Sequence, residues 1–169
     1  QIHECAHRLG VETNCTMLFG HIEEPAEVVS HLQALRALQD KTGGFSCFIP
    51  LAYQPGRSRL VPEMASSMYC LKIISLSRLF LDNIPHIRSY WPSLEIETAC
   101  AGLSFGADDL DGTIMNERIM NLAGSNAPKG VDEEHVRAII RHSGQDPVLR
   151  TGSFEVFAGT TPPSGTFHD

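Results

Sequence analysis

The period of the apolar pattern switches repeatedly along this chain, from short unbroken apolar runs to stripes at helical spacing and back. Parallel α/β architecture requires that alternation. NCTMLFG, from Asn14 to Gly20, is a short apolar run bounded by turn signals and reads as a buried strand. Residues 26–39 follow with Val29, Leu32, Leu35 and Leu38 on one helical stripe, and Gly43 and Gly44 close the segment. FSCFIPLAY, Phe45 to Tyr53, is a second strand, Leu71 to Leu81 a second helix, and NIPHIRSYW a third strand with Trp91 at its end. Pro92 and Ser93 open a helix to about Ser104. FGADDLDGTI, Phe105 to Ile114, supplies a fourth strand, followed by helices over 115–123 and 132–142, the last with an N-cap Asp132 and Gly144 as its stop. Pro50 and Pro85 cannot donate to a ladder and predict a bend or bulge at each.

Strand and helix alternate four times over about 150 residues, half of an eight-fold β/α barrel, which needs roughly 250. The fold class is therefore α/β with a parallel sheet, read as the second half of a TIM-type (β/α)8 barrel with two open edges. A small doubly wound open sheet is the competing layout. The opening QIHECAHRLG has no initiator Met and begins inside a helical pattern, so the chain is expected to be a piece of something longer. Residues 1–156 are expected to form the half-barrel and the Pro/Gly-rich residues 157–169 a disordered tail.

The formal charge of −7, with no dense Lys/Arg cluster, argues against nucleic acid as a partner. No apolar run reaches the roughly 20 residues of a membrane span and no leader pattern is visible, so a cytoplasmic protein is expected. The five cysteines, Cys5, Cys15, Cys47, Cys70 and Cys100, are spread through apolar contexts and read as reduced, mostly buried thiols. With no HxH or HExxH spacing, no metal site is expected.

In a parallel α/β layout the residues that end each strand face the ligand crevice. Here those ends are polar: Gly20-His21-Ile22-Glu23, Tyr53-Gln54-Pro55, Tyr90-Trp91 and Asp108-Asp109-Leu110-Asp111. Alternation at period 2 places His86, Arg88 and Tyr90 on one face of the third strand and Ile87, Ser89 and Trp91 on the other. A His and an Arg pointing into a barrel need a ligand or a carboxylate, and Asp109 or Asp111 is the expected partner. The plainer alternatives are aspartates that cap the following helix and structural histidines at 21 and 86. A calcium loop fails, because Gly112 at its sixth position puts Ala107 first and Arg118 twelfth.

TMLFGHIE, LRALQDKTGGFSCFIPLAY, SRLFLDNIPHIRSYW and FGADDLDGT closely resemble, in order and spacing, the second half of the aminofutalosine synthase family of radical S-adenosylmethionine enzymes, in the futalosine route to menaquinone. The match runs from about Gln1 to Val156. The pathway's cyclase and the deazaflavin synthases are similar relatives. PHIRSYW after LDNI, and DDLDGT, favour aminofutalosine synthase.

The resemblance implies S-adenosylmethionine as cofactor, with Gly20 and Glu23 shaping the adenosyl pocket, Thr16 and Met17 close to the adenine, and Ile49 and Pro50 completing the nucleoside wall. It implies an aromatic dicarboxylate substrate, a benzoate with a carboxyvinyl ether, lined by His21 and Tyr90 and met by His86 and by Arg88, which stands where the family carries Lys. Asp109 and Asp111 are expected to bind a ribose hydroxyl or to orient His86. The chain lacks C-x-x-x-C-x-x-C, so a four-iron four-sulfur cluster is expected in a missing N-terminal half-barrel, which becomes the partner of this one. QPGRSRL, Asn121 and Cys100 depart from the family's Glu-Asn-Thr, His and Gln. Two other readings remain: a non-catalytic remnant of a split gene, and a barrel hydrolase or lyase using His86 with Asp109 or Asp111.

Overall fold

The computed structural model describes residues 1–56 and 60–157. The elements run α1 (Ile2–Arg8), β1 (Thr13–Phe19), α2 (Pro25–Thr42), β2 (Phe45–Ala52), α3 (Ser67–Phe80), β3 (His86–Ile87), α4 (Trp91–Leu94), α5 (Ile96–Leu103), α6 (Ile119–Ala123) and α7 (Glu133–His142). Among the described residues the sheet is parallel, ordered β1-β2-β3, with helices between its strands. This is the architecture of a partial β/α barrel. No helix among the described residues is long and apolar enough to cross a membrane. The expected tail lies, from residue 158, outside the described residues.

Capping chemistry sets the helix limits. Glu24 and Glu27 form a reciprocal capping box at the start of α2, and Gly43, at φ 64°, ends it in the left-handed conformation that favours glycine. Ser66 and Asp132 each accept a first-turn N–H, from Tyr69 and His135. The buried edge of α2 is Val28, Leu32 and Gln39; Val29, placed on the stripe by sequence, is only half-buried. Gln39 earns its burial by clasping the start of β2, donating to the Phe45 carbonyl at 2.9 Å and accepting its N–H at 2.8 Å.

The sheet has two unlike faces. Cys15, Met17 and Phe19 of β1 and Phe48, Pro50 and Ala52 of β2 are buried against α2 and α3, alongside Leu32, Cys70, Ile73 and Ile74. Register partners point to the same side, so Thr16 with Ile49 and Leu18 with Leu51 occupy the opposite, open face. Cys47 pairs with His86 in register, which brings His86 and Arg88 to that open face as well, while Ile87 and Ser89 enter the core.

The third strand is shorter than its sequence suggests. Arg88 donates its N–H to the Phe48 carbonyl at 2.9 Å, and the next rung of a parallel ladder would need an N–H from residue 50. Pro50 has none, so the pairing stops there. Pro50 keeps its register with Met17, and the one irregularity between β1 and β2 falls at Thr13/Asn14 instead. Trp91 begins α4 rather than ending a strand. The single helix expected from Pro92 to Ser104 is broken at Glu95, a non-glycine residue at φ 64° and ψ 155°. The fourth strand survives as one parallel bridge, Arg88 to Asp109, supported by Asp108 N–H to Ile87 O at 3.0 Å and Ser89 N–H to Asp109 O at 2.7 Å. Asp111 and Gly112, at φ 79° and 92°, then turn the chain away from the sheet. The helix expected over 115–123 is reduced to α6, because Val131 donates to the Ile114 carbonyl and Glu117 to the Lys129 carbonyl, which ties the chain before α6 to residues 129–131 instead.

Candidate functional site

Polar side chains gather at two places, one strand apart. The first is the turn after β1. The Glu23 carboxylate accepts the backbone N–H of Gly20 at 2.5 Å and of His21 at 2.9 Å. Burial alone would raise the Glu23 carboxyl, but these two N–H donors win and hold it below the usual carboxylate range. His21 lies edge-on to Tyr53, with ring centroids 5.6 Å apart. Gly20 has φ +84°, and a side chain there would put its Cβ 2.8 Å from that of Ala65, so the glycine is required by the turn and by the approach of Ala65, just ahead of α3. Of the residues expected along a nucleoside wall, Thr16 and Ile49 lie on the open face, whereas the side chains of Met17 and Pro50 point into the helix-packed core.

The second place is the end of β3 and the turn beside it. Arg88, 11% exposed, donates through Nε to Asp109 Oδ2 and reaches Asp111 Oδ1 through Nη1 at 2.5 Å. Asp109 Oδ1 is taken by Arg150, through Nε at 2.7 Å and Nη2 at 2.6 Å. Among the described residues, Nη2 of Arg88 is left without a hydrogen-bond partner. Burial pushes the Asp111 carboxyl above its ordinary range, although Arg88 pulls the other way. Tyr90 donates to the buried Glu117 at 3.4 Å, and burial, with the nearby Glu117 and Asp111 charges, pushes its phenol up to about 12.

His86 departs from expectation. Its Nδ1 meets Asp108 Oδ2 at 2.6 Å, and Asp108 also holds Arg78 at 2.7 Å and the Ile87 N–H at 2.8 Å. Asp109 and Asp111 are engaged by arginines and do not orient it. The two cations expected to share Asp109 or Asp111 are thus divided: His86 is tied to Asp108, and Arg88 is matched by both Asp109 and Asp111. Sequence reading missed Glu117, Arg150 and Phe154, because all three come from irregular segments where no period marks a facing side chain.

The cysteines do not resemble a cluster site. Burial pushes the thiols of Cys15 and Cys47 up to about 12 and that of Cys70 to about 11, so they are protonated at neutral pH. Among the described residues no three His, Cys, Asp or Glu side chains converge on one point.

Fold and site together define half of a parallel β/α barrel whose polar residues collect at the carboxyl ends of its strands, where such barrels hold their ligands. The chain belongs to the family described as the CofH/MqnC C-terminal region, whose model matches residues 42–161. It is 44% identical over 155 residues to the aminodeoxyfutalosine synthase of Thermus thermophilus, covering 89% of this chain and 42% of that protein. It is 40% identical over 168 residues to the aminodeoxyfutalosine synthase of Streptomyces coelicolor, covering 92% of this chain and 43% of that protein. Against the cyclic dehypoxanthine futalosine synthase of the same Streptomyces, identity is 37% over 156 residues, covering 92% and 39%. The chain spans about two-fifths of the length of these curated relatives.

Proposed function

We propose that this chain is the C-terminal half of a radical S-adenosylmethionine aminofutalosine synthase, which joins the 5'-deoxyadenosyl group of S-adenosylmethionine to 3-(1-carboxyvinyloxy)benzoate, with rearrangement and loss of one carboxyl group as carbon dioxide, to give aminodeoxyfutalosine for menaquinone. Higher identity to two aminodeoxyfutalosine synthases than to the cyclase supports this choice of reaction. The observation that carries it at the site is Arg88, only 11% exposed and braced by Asp109 and Asp111 with Nη2 still able to donate. A braced guanidinium is a geometric receptor for one substrate carboxylate.

S-adenosylmethionine supplies the 5'-deoxyadenosyl group when bound, and the turn after β1 fits such a ligand: Glu23 fixes Gly20 and His21 while Thr16 and Ile49 line the open face. That turn and Arg88 stand on strands separated by β2, about 10 Å across at ordinary strand spacing, the scale of a nucleoside beside an aromatic ring. Among the described residues no three potential ligands converge, so the chain's cysteines do not fit an iron–sulfur cluster, which another part of the whole enzyme would hold. Arg88 orients the dicarboxylate so that the carbon to be bonded faces the nucleoside. Burial holds the Asp111 carboxyl above its ordinary range, and a third carboxylate arriving beside it pushes in the same direction. Tyr90, a donor across the physiological range and held by Glu117, offers an aromatic flank.

The test uses the full-length enzyme, reconstituted without oxygen and offered S-adenosylmethionine with either the benzoate ether or dehypoxanthine futalosine. Mass spectrometry is expected to show adenosine covalently joined to the aromatic substrate from the first and no conversion of the second; conversion of dehypoxanthine futalosine with the benzoate ether left unchanged overturns the reading.

A further inference from the structure

The open face of the sheet is bare toward the ends of β1 and covered at the start of β2 and β3. Leu18 is 49% exposed there, whereas Cys47 on the same face is fully buried. The cover comes from the far end of the chain. Residues 149–157 form a tight turn, closed by Thr151 N–H to Glu155 O at 2.8 Å and Phe154 N–H to Thr151 O at 3.2 Å, with a bridge between Arg150 and Val156. This turn holds Phe154 at φ 65°, a conformation that bulky residues seldom adopt. The Phe154 ring stacks on His86 with centroids 3.9 Å apart and an interplanar angle of 6°. The Arg150 guanidinium lies 4.2 Å from the same ring and that of Arg88 5.8 Å from it. Arg150 also fills Asp109 Oδ1, leaving only Oδ2 for Arg88.

A barrel interior is normally sealed at its strand-start end by layers of side chains from the strands themselves. Here β3 has two residues and its neighbour one bridge, too little to build such a layer. We infer that residues 149–157 are a strap that supplies it, with Phe154 as the plug and Arg150 as the tie, and that both are positioning residues for Arg88. By excluding water beneath the Arg88–Asp109–Arg150 group, Phe154 keeps that group in a low-dielectric setting where its geometry is stiff. Arg150 orients Asp109, and Asp109 in turn fixes the guanidinium plane of Arg88. The inference rests on Arg88 being the substrate's carboxylate receptor.

Phe154→Ala and Arg150→Met, made in the full-length enzyme, separate this role from simple stability. Hydrogen exchange measured before any ligand is added is expected to quicken about tenfold in residues 87–89 and 107–111 and to stay unchanged in β1. KM for the benzoate ether is expected to rise about tenfold with kcat within about twofold, the signature of lost uniform binding. Phe154→Tyr is expected to restore both. Unchanged exchange at 87–89 and 107–111 overturns the strap, and quickened exchange with an unchanged KM overturns the positioning role. If the wild-type enzyme turns over dehypoxanthine futalosine instead and KM for that compound rises in both variants, the strap stands and the substrate reading falls.

Discussion

The two ends of this sheet are held together by different physics. β1 and β2 pair through seven register partners and lay one face on a dry layer of Phe, Leu, Ile and Met side chains. β3 pairs with β2 at two positions and with the next extended segment at one, and its alignment depends on Asp108, Asp109 and Asp111 reaching Arg78, His86, Arg88 and Arg150. Where backbone pairing is long, side chains are free to be apolar. Where Pro50 cuts the ladder, charged side chains do the aligning, and the groups that do so face the open side of the sheet where a ligand can meet them. The polar end is therefore expected to respond to charge and pH, and the apolar end to packing.

Truncating the apolar end gives the largest expected effect. Phe48→Ala removes a fully buried ring between β2 and the helices and is expected to lower stability by about 3–5 kcal/mol, read from urea midpoints. At the polar end, Asp109→Ala leaves Arg88 with Asp111 alone and Arg150 without a carboxylate, at side chains 11% and 19% exposed, and a loss of about 2–3 kcal/mol is expected from the same measurement. An Asp109→Ala loss under about 1 kcal/mol would mean that the polar end is aligned by backbone after all.

Asp111→Asn sharpens the contrast through pH. Folding raises the Asp111 carboxyl, so its contribution favours the folded state below the unfolded value and is lost as pH rises through the folded one. Wild-type stability relative to Asp111→Asn is thus expected to fall with rising pH across the acidic range, and a flat difference would contradict the burial assigned to Asp111. The smallest effect is expected far from both ends: Arg137→Ala loses only an (i, i+4) pair with the half-exposed Glu133, and a change within about 0.5 kcal/mol is expected by thermal melting.

Much of the apolar end could be read in the sequence. NCTMLFG and FSCFIPLAY became β1 and β2, and Asp132 and Gly43 marked helix limits by chemistry that acts within a few residues. That Asp109 or Asp111 would meet Arg88 followed from strand alternation and the cost of burying a lone charge; that both do so did not. What was not legible depends on distant partners. Pro50 shortens a strand 36 positions later, and Phe154 covers a histidine from the other end of the chain. His86 found Asp108 because the Asp108 carboxylate also takes the Ile87 N–H, a tie that the spacing of the aspartates does not reveal.

Arg88 joins the fold to the proposed chemistry, and replacing it tests that link most directly. In the full-length enzyme with the benzoate ether, Arg88→Gln is expected to raise KM well beyond about tenfold and Arg88→Lys to recover only part of that loss, since Lys keeps the charge but loses the planar fork that Asp109 and Asp111 brace. A KM for Arg88→Gln equal to that of wild type would show that the substrate carboxylate is held elsewhere.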